Sequence, residues 1–157
     1  MKGKIEGFVR EIALPDELAT KRLGAQIAAG LTTGETVALS GDLGAGKTTL
    51  ARAILGALGV REMVPSPTFT LVQHYDTPGL PIYHFDLYRL EAESDIEQLG
   101  LGHALASGAA LVEWPERAGS RLPSDALYVE MDIVGENSRR ALLRGPTHWA
   151  SVFPEAQ

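Results

Sequence analysis

The sequence predicts an α/β three-layer sandwich with a mixed parallel and antiparallel sheet, and a few stretches of chain carry that prediction. The first is Gly41-Asp42-Leu43-Gly44-Ala45-Gly46-Lys47-Thr48, a GxxxxGK motif followed by Thr. It lies between a short apolar, β-branched run at residues 35–40 and a stretch in which Leu50, Ala51, Ile54, Leu55 and Leu58 share one helix face. Strand, Gly-rich loop and helix form the setting in which backbone amides converge on a phosphate. The second is Ala109-Ala110-Leu111-Val112, a compact apolar run of the kind buried on both faces of a sheet. The third is a pair of hairpin signatures: residues 68–75 with 81–86 across Asp76-Thr77-Pro78-Gly79, and residues 127–134 with 139–143 across Gly135-Glu136-Asn137-Ser138. One phosphate-loop unit inside a mixed sheet is a P-loop NTPase-like arrangement.

The remaining elements follow in order. Residues 7–14 read as an edge strand. Pro15 then starts a helix running to about Ala29, with Asp16 and Glu17 in its dipole-favoured first turn. Thr32-Thr33-Gly34 is a turn, and the helix behind the phosphate loop ends near Gly59. Val64-Pro65-Ser66-Pro67 is extended, because each proline excludes helix for its predecessor. Residues 93–99 and 102–107 read as short helices, while the tail from Pro146 carries little signal. There is no internal repeat, low-complexity tract or long linker, so residues 1–157 are expected to form a single P-loop ATPase domain.

The bulk composition narrows the function. A hydrophobic fraction of 45% and a charged fraction of 22% are those of an ordinary globular protein. The absence of cysteine excludes disulfide scaffolds, thiolate zinc sites and a cysteine nucleophile. No apolar stretch approaches a membrane span and residues 1–6 have no apolar signal core, so a cytoplasmic location is expected. A net charge of −6 opposes autonomous binding to a polyanion such as RNA. The best basic groups are Arg139-Arg140 with Arg144, and Lys21-Arg22; the arginine pair on a C-terminal strand reads as a solvated edge.

Turnover needs more than a phosphate loop. In that motif Lys47 reaches the β- and γ-phosphates and the Thr48 hydroxyl ligates Mg²⁺. An acidic residue at the carboxyl end of a strand must help hold the metal and order a water. Asp86 and Glu113 both qualify, and both are placed at the sheet edge where ligands collect. Glu113 ends the more apolar strand and is read as the Mg²⁺ carboxylate, leaving Asp86 to position the attacking water. Thr68 falls where switch NTPases sense the γ-phosphate, and opening a strand is the plainer role for it. Trp114 is read either as a stacking surface or as a packed rim residue. His74, His84, His103 and His148 show no metal-ligand spacing and read as ordinary, and Glu91, Glu93, Asp95 and Glu97 read as a solvated face.

Asp76-Thr77-Pro78-Gly79 matches the DxxG element of GTPases. The Asn-Lys-x-Asp guanine reader is missing, since the one asparagine, Asn137, precedes Ser138. The element is better explained as a turn, and ATP is the expected nucleotide. Small-molecule kinases carry an Arg-rich lid, whereas Arg89, Arg117 and Arg121 are scattered. A kinase, and a binding module whose nucleotide merely orders its surface, remain the alternatives to an ATPase.

Four segments then occur together: Gly41-Asp42-Leu43-Gly44-Ala45-Gly46-Lys47-Thr48-Thr49, Ser66-Pro67-Thr68-Phe69-Thr70-Leu71-Val72, His84-Phe85-Asp86-Leu87-Tyr88-Arg89-Leu90 and Leu111-Val112-Glu113-Trp114. In that order they closely resemble the bacterial TsaE (YjeE) family, the ATPase of tRNA threonylcarbamoyladenosine (t6A) biosynthesis. The resemblance spans about Leu14 to Arg140, and SPTFTLV and HFDLYRL are its most distinctive parts. It implies slow ATP hydrolysis in company with TsaD and TsaB, which build the modification on an adenosine beside the tRNA anticodon. The family member resets that complex between turnovers rather than transferring the group. The resemblance also implies phosphates on Gly44, Ala45, Gly46, Lys47, Thr48 and Thr49, Mg²⁺ on Thr48 and Glu113, and catalytic support from Asp86. Thr68 would belong to a switch-like segment, and Asp16 would lie near the adenine. An arginine of the C-terminal hairpin contacts nucleotide in the family; Arg139 is the nearest match and Arg140 the alternative. Beyond Leu143 the resemblance fades, leaving Trp149 and the tail without a role.

Overall fold

A computed structural model describes residues 7–42, 44–61 and 71–154. Its seven strands are β1 (Phe8–Leu14), β2 (Thr36–Ser40), β3 (Val72–Tyr75), β4 (Ile82–Asp86), β5 (Ala109–Glu113), β6 (Leu127–Ile133) and β7 (Arg139–Gly145). They form one sheet in the order β1-β7-β6-β2-β5-β4-β3. The central strands β6, β2, β5 and β4 run parallel. Antiparallel strands close both edges, β7 and β1 on one side and β3 on the other. Both expected hairpins are present, Val72 pairing with Phe85 and Tyr128 with Arg144. The expected strand from Thr68 is described from Val72 onward, because residues 62–70 lie outside the described residues.

Helices cover the parallel core on both faces. On one side lie α1 (Glu17–Gly30) and α2 (Lys47–Ala57), which bury Leu23, Ile27, Leu50 and Ile54 against Val37, Leu39, Leu111 and Val129. On the other lie the short helices α3 (Asp95–Gln98) and α4 (Leu101–Ser107), which cover Ala38, Phe85, Ala110 and Val112. Val37 and Leu39 face one layer and Ala38 the other, as a pleated strand requires. Every residue of β5 is buried, as its continuous apolar run predicts.

Three expectations need correcting. Pro15 does not start α1. Asp16 is its N-cap in extended conformation, accepts the Ala19 N–H at 2.9 Å, and the helix begins at Glu17. A carboxylate that caps a helix must itself stand outside it. The helix expected over residues 93–99 is the single turn of α3, stopped by Gly100 in the left-handed region at φ 90°, from which α4 starts at Leu101. The tail does have a role. Trp149, in a short 3₁₀ turn at Thr147–Ser151, and Phe153 are both buried, and Phe153 stacks on Phe8 at 5.7 Å. Arg10 of β1 donates to the Phe153 and Pro154 carbonyls and ties the tail to the sheet edge.

Truncating so large a buried ring removes its transfer free energy and leaves a cavity. Trp149→Ala is expected to lower unfolding stability by about 3–5 kcal/mol in urea titrations. A loss under about 1 kcal/mol would show that the tail is not part of the cooperative core.

Candidate functional site

The site begins with the loop between β2 and α2. Gly41 has φ 137°, and a Cβ there would stand 2.5 Å from the Met131 carbonyl oxygen of β6. Only glycine meets both demands, so strand β6 presses the loop into shape. Gly46, at φ 109°, is the N-cap of α2 and offers no side-chain cap, and no acidic residue occupies the first turn. Among the described residues no side chain caps the first amides of α2, at the positive end of an 11-residue helix. The contrast with α1, whose N-terminus is taken by Asp16, is direct.

Lys47 is almost fully buried. Its Nζ donates to the carbonyls of Gly41 and Asp42 and lies 4.0 Å from the centre of the Trp114 ring. Burial lowers its pKa below the usual lysine value, against the opposing pull of the carboxylates of Glu113, Glu116, Asp86 and Asp42. An incoming phosphate would supply the counter-charge that solvent no longer does.

Two carboxylates face this lysine. Asp86 and Glu113 are paired in register at the carboxyl ends of β4 and β5, and are only 4% and 2% exposed. Glu113 Oε1 accepts the Thr48 hydroxyl at 3.0 Å, and Glu113 Oε2 lies 2.7 Å from His84 Nε2. Asp86 Oδ1 accepts the Tyr88 N–H at 3.1 Å. Arg139 reaches over from β7 and donates to the Gly44 carbonyl at 3.1 Å. Lys47, Thr48, Asp86, Glu113 and Arg139 line a cavity of about 870 Å³, which Asp16 and Asn137 also border. That volume suits a nucleotide-sized ligand.

The donors fit Mg²⁺. A hydroxyl and a carboxylate already in contact, with a second buried carboxylate beside them, are hard oxygen ligands. Among the described residues no group of three or more His, Asp or Glu is arranged to hold a metal alone. Magnesium commonly takes one or two protein ligands and completes its shell with water and substrate phosphates.

Comparison with known proteins gives the family. The family model "Threonylcarbamoyl adenosine biosynthesis protein TsaE" matches residues 14–142. The chain belongs to the TsaE family. It is 40% identical over 126 residues to the tRNA threonylcarbamoyladenosine biosynthesis protein TsaE of Bacillus subtilis, covering 80% of this chain and 77% of that one. It is 41% identical over 125 residues to the TsaE protein of Haemophilus influenzae, covering 76% and 79% of the two chains. The crystal structure of Bacillus subtilis YdiB superimposes with a TM-score of 0.76 at 26% identity, over 92% of this chain and 90% of that one. The fold is thus that of the P-loop NTPase-like TsaE proteins.

The structure of this TsaE family member gathers the loop residues Gly44, Gly46, Lys47, Thr48 and Thr49, together with Asp16, Asp86, Glu113 and Arg139, around one cavity. Ala45 of the same loop is buried and does not line the cavity, and Thr68 lies outside the described residues. Of the two arginines left open, Arg139 is at the cavity, whereas Arg140 pairs with Glu11 and Asp132 at 3.3 and 3.4 Å. The solvated part of the edge reading holds for Arg140 and Arg144 but not for Arg139, and β7 is not an edge strand, because β1 and β6 flank it on both sides. Neighbouring strand residues point to opposite faces, and Arg139 takes the inward one.

Reading the histidines as ordinary missed His84, which is fully buried against Glu113. Its signal was the two-residue step to Asp86 on a strand ending at the same edge. Trp114 adopts a left-handed conformation at φ 60° and tilts against Tyr88 at 4.9 Å, with Lys47 on its face. It is a rim residue whose ring touches the phosphate-loop lysine.

Gly41→Ala would force a Cβ against a backbone carbonyl in a disfavoured region of φ, a strain of about 1–3 kcal/mol. ADP affinity measured by calorimetry is expected to fall at least about tenfold. An unchanged affinity would show that the loop does not need this conformation.

Proposed function

We propose that this chain is a Mg²⁺-dependent ATPase that serves t6A formation on tRNA, working with TsaD and TsaB. The observation that carries the reading is the meeting of an uncapped phosphate loop with two buried strand-end carboxylates at one cavity. The pathway follows from membership of a family whose relatives are named for threonylcarbamoyladenosine biosynthesis.

Each side chain then has a task that its position permits. The amides from Gly44 to Thr49 hold the phosphates, with the positive end of α2 behind them. Lys47 leaves the loop carbonyls to neutralise charge on the transferred phosphate. Thr48 and Glu113 would hold Mg²⁺, which would supply positive charge against the phosphates. Asp86, anchored by the Tyr88 amide, orients the attacking water. Arg139 closes over the loop at Gly44. Asp16 borders the end of the cavity assigned to the adenine, its Oδ1 held as the α1 cap.

Phosphate release should be measured with and without TsaD and TsaB. Turnover that rises with the partners supports the reading. Phosphorylation of an added metabolite would make the protein a kinase, and tight ATP binding with no turnover under any condition would make it a binding module. Lys47→Ala is expected to abolish ATP binding by calorimetry. Asp86→Ala is expected to keep binding within about threefold while turnover falls by about a hundredfold or more. Normal hydrolysis by Asp86→Ala in the partner complex would refute the role given to Asp86.

The net charge of −6 also has a consequence. The isolated chain is expected to bind tRNA weakly in filter-binding or anisotropy titrations. A submicromolar, salt-sensitive complex without partners would contradict that expectation.

A further inference from the structure

We propose that His84 is a positioning residue for Glu113, fixing the carboxylate that would hold the metal. The inference rests on the proposed ATPase reading. His84 pairs with Leu111 across β4 and β5, and Asp86 pairs with Glu113. His84 and Glu113 are therefore diagonal neighbours on the same face of the sheet, the face toward α2. The imidazole is fully buried, and its Nε2 stands 2.7 Å from Glu113 Oε2. An ionised carboxylate can only accept, so Nε2 carries the hydrogen and donates. Among the described residues Nδ1 has no hydrogen-bond partner, so the contact to Glu113 is the polar anchor seen for the ring.

The geometry divides the carboxylate between two jobs. His84 takes Oε2 from the sheet side, and Thr48 takes Oε1 from the loop side. With one oxygen pinned, rotation about the terminal carboxylate torsion stops and the other oxygen stays on the Thr48 side, where the metal is expected. A buried imidazole that served only packing would be replaceable by leucine without effect on metal affinity. Partners that orient a metal-binding carboxylate typically change that affinity by 10- to 100-fold when removed.

The test uses the full-length chain with His84→Gln, His84→Asn and His84→Leu. The Gln amide nitrogen falls near the position of imidazole Nε2, whereas the Asn amide reaches only the position of Nδ1. Mn²⁺ affinity would be measured by electron paramagnetic resonance with saturating ADP, and ADP affinity by calorimetry without metal. His84→Asn and His84→Leu are expected to weaken Mn²⁺ binding by about tenfold or more, and His84→Gln by less than about threefold. Metal-free ADP affinity is expected to stay constant across all three, because the loop amides do not depend on Glu113. In a Glu113→Gln background the His84 substitutions should have no further effect on Mn²⁺. If His84→Leu fails to fold, the Gln and Asn variants alone decide the matter. Equal Mn²⁺ affinity in wild type and in the Asn variant overturns the inference and leaves the ATPase reading intact. Failure of the wild-type chain to bind Mn²⁺ with nucleotide overturns both.

Discussion

Helix α2 arrives at the carboxyl edge of the sheet with its first amides uncapped, next to two carboxylates that the sheet has already buried. Everything else at the site answers that constraint. Unpaired amides carry partial positive charge, and buried carboxylates carry full negative charge with little solvent to stabilise it. Lys47 is the cation inside the loop, and it is occupied by loop carbonyls and by the face of Trp114. A polyphosphate satisfies the amides and the lysine. On the proposed reading a divalent cation would offset the charge of Glu113. Neither ligand alone resolves both imbalances, so the geometry favours their arriving as a complex.

The topology explains why these groups meet. Parallel strands β2, β5 and β4 all end at the same edge, so the loop after β2, Glu113 at the end of β5 and Asp86 at the end of β4 converge without any long connection. The antiparallel hairpin of β6 and β7 is equally part of the site. The Met131 carbonyl shapes the loop at Gly41, and Arg139 holds it at Gly44. The tail secures this arrangement from behind, since Phe153 stacks on β1 and β1 pairs along the whole of β7. Residues distant in sequence therefore brace the phosphate loop from the side opposite the carboxylates.

Much of this was legible because it is written in local patterns. The strand, Gly-rich loop and helix unit, the apolar run of β5 and both hairpins depend on spacing over a few residues, and each is present. What escaped depends on contacts that local spacing does not encode. Trp149 has no apolar periodicity around it and is buried because β1 and α1 leave a gap that the tail fills. His84 lacks any ligand-like spacing and gains its meaning from Glu113, 29 residues later. Arg139 and Arg140 are chemically alike, and only the strand's facing tells them apart. The start of α1 was misplaced because Pro15 and Asp16 are both N-terminal signals, and the cap hydrogen bond decides between them.

The whole chain is acidic, whereas the phosphate loop itself presents amide dipoles and the buried Lys47, and the difference in reach is one of distance. The net −6 is carried largely by side chains on the surface, whose influence fades over about 8 Å in physiological salt. Amide dipoles and the buried Lys47 act on a phosphate at contact, where neither salt nor solvent screens them well. A small polyanion that reaches the loop therefore feels attraction, whereas a long one that must lie along the surface meets repulsion. On the proposed reading a protein built this way would bind nucleotide and leave RNA to others, with TsaD and TsaB carrying the tRNA. The depressed pKa of Lys47 belongs to the same logic: desolvation makes the free ammonium costly, and a ligand phosphate removes that cost at the one place where it was incurred.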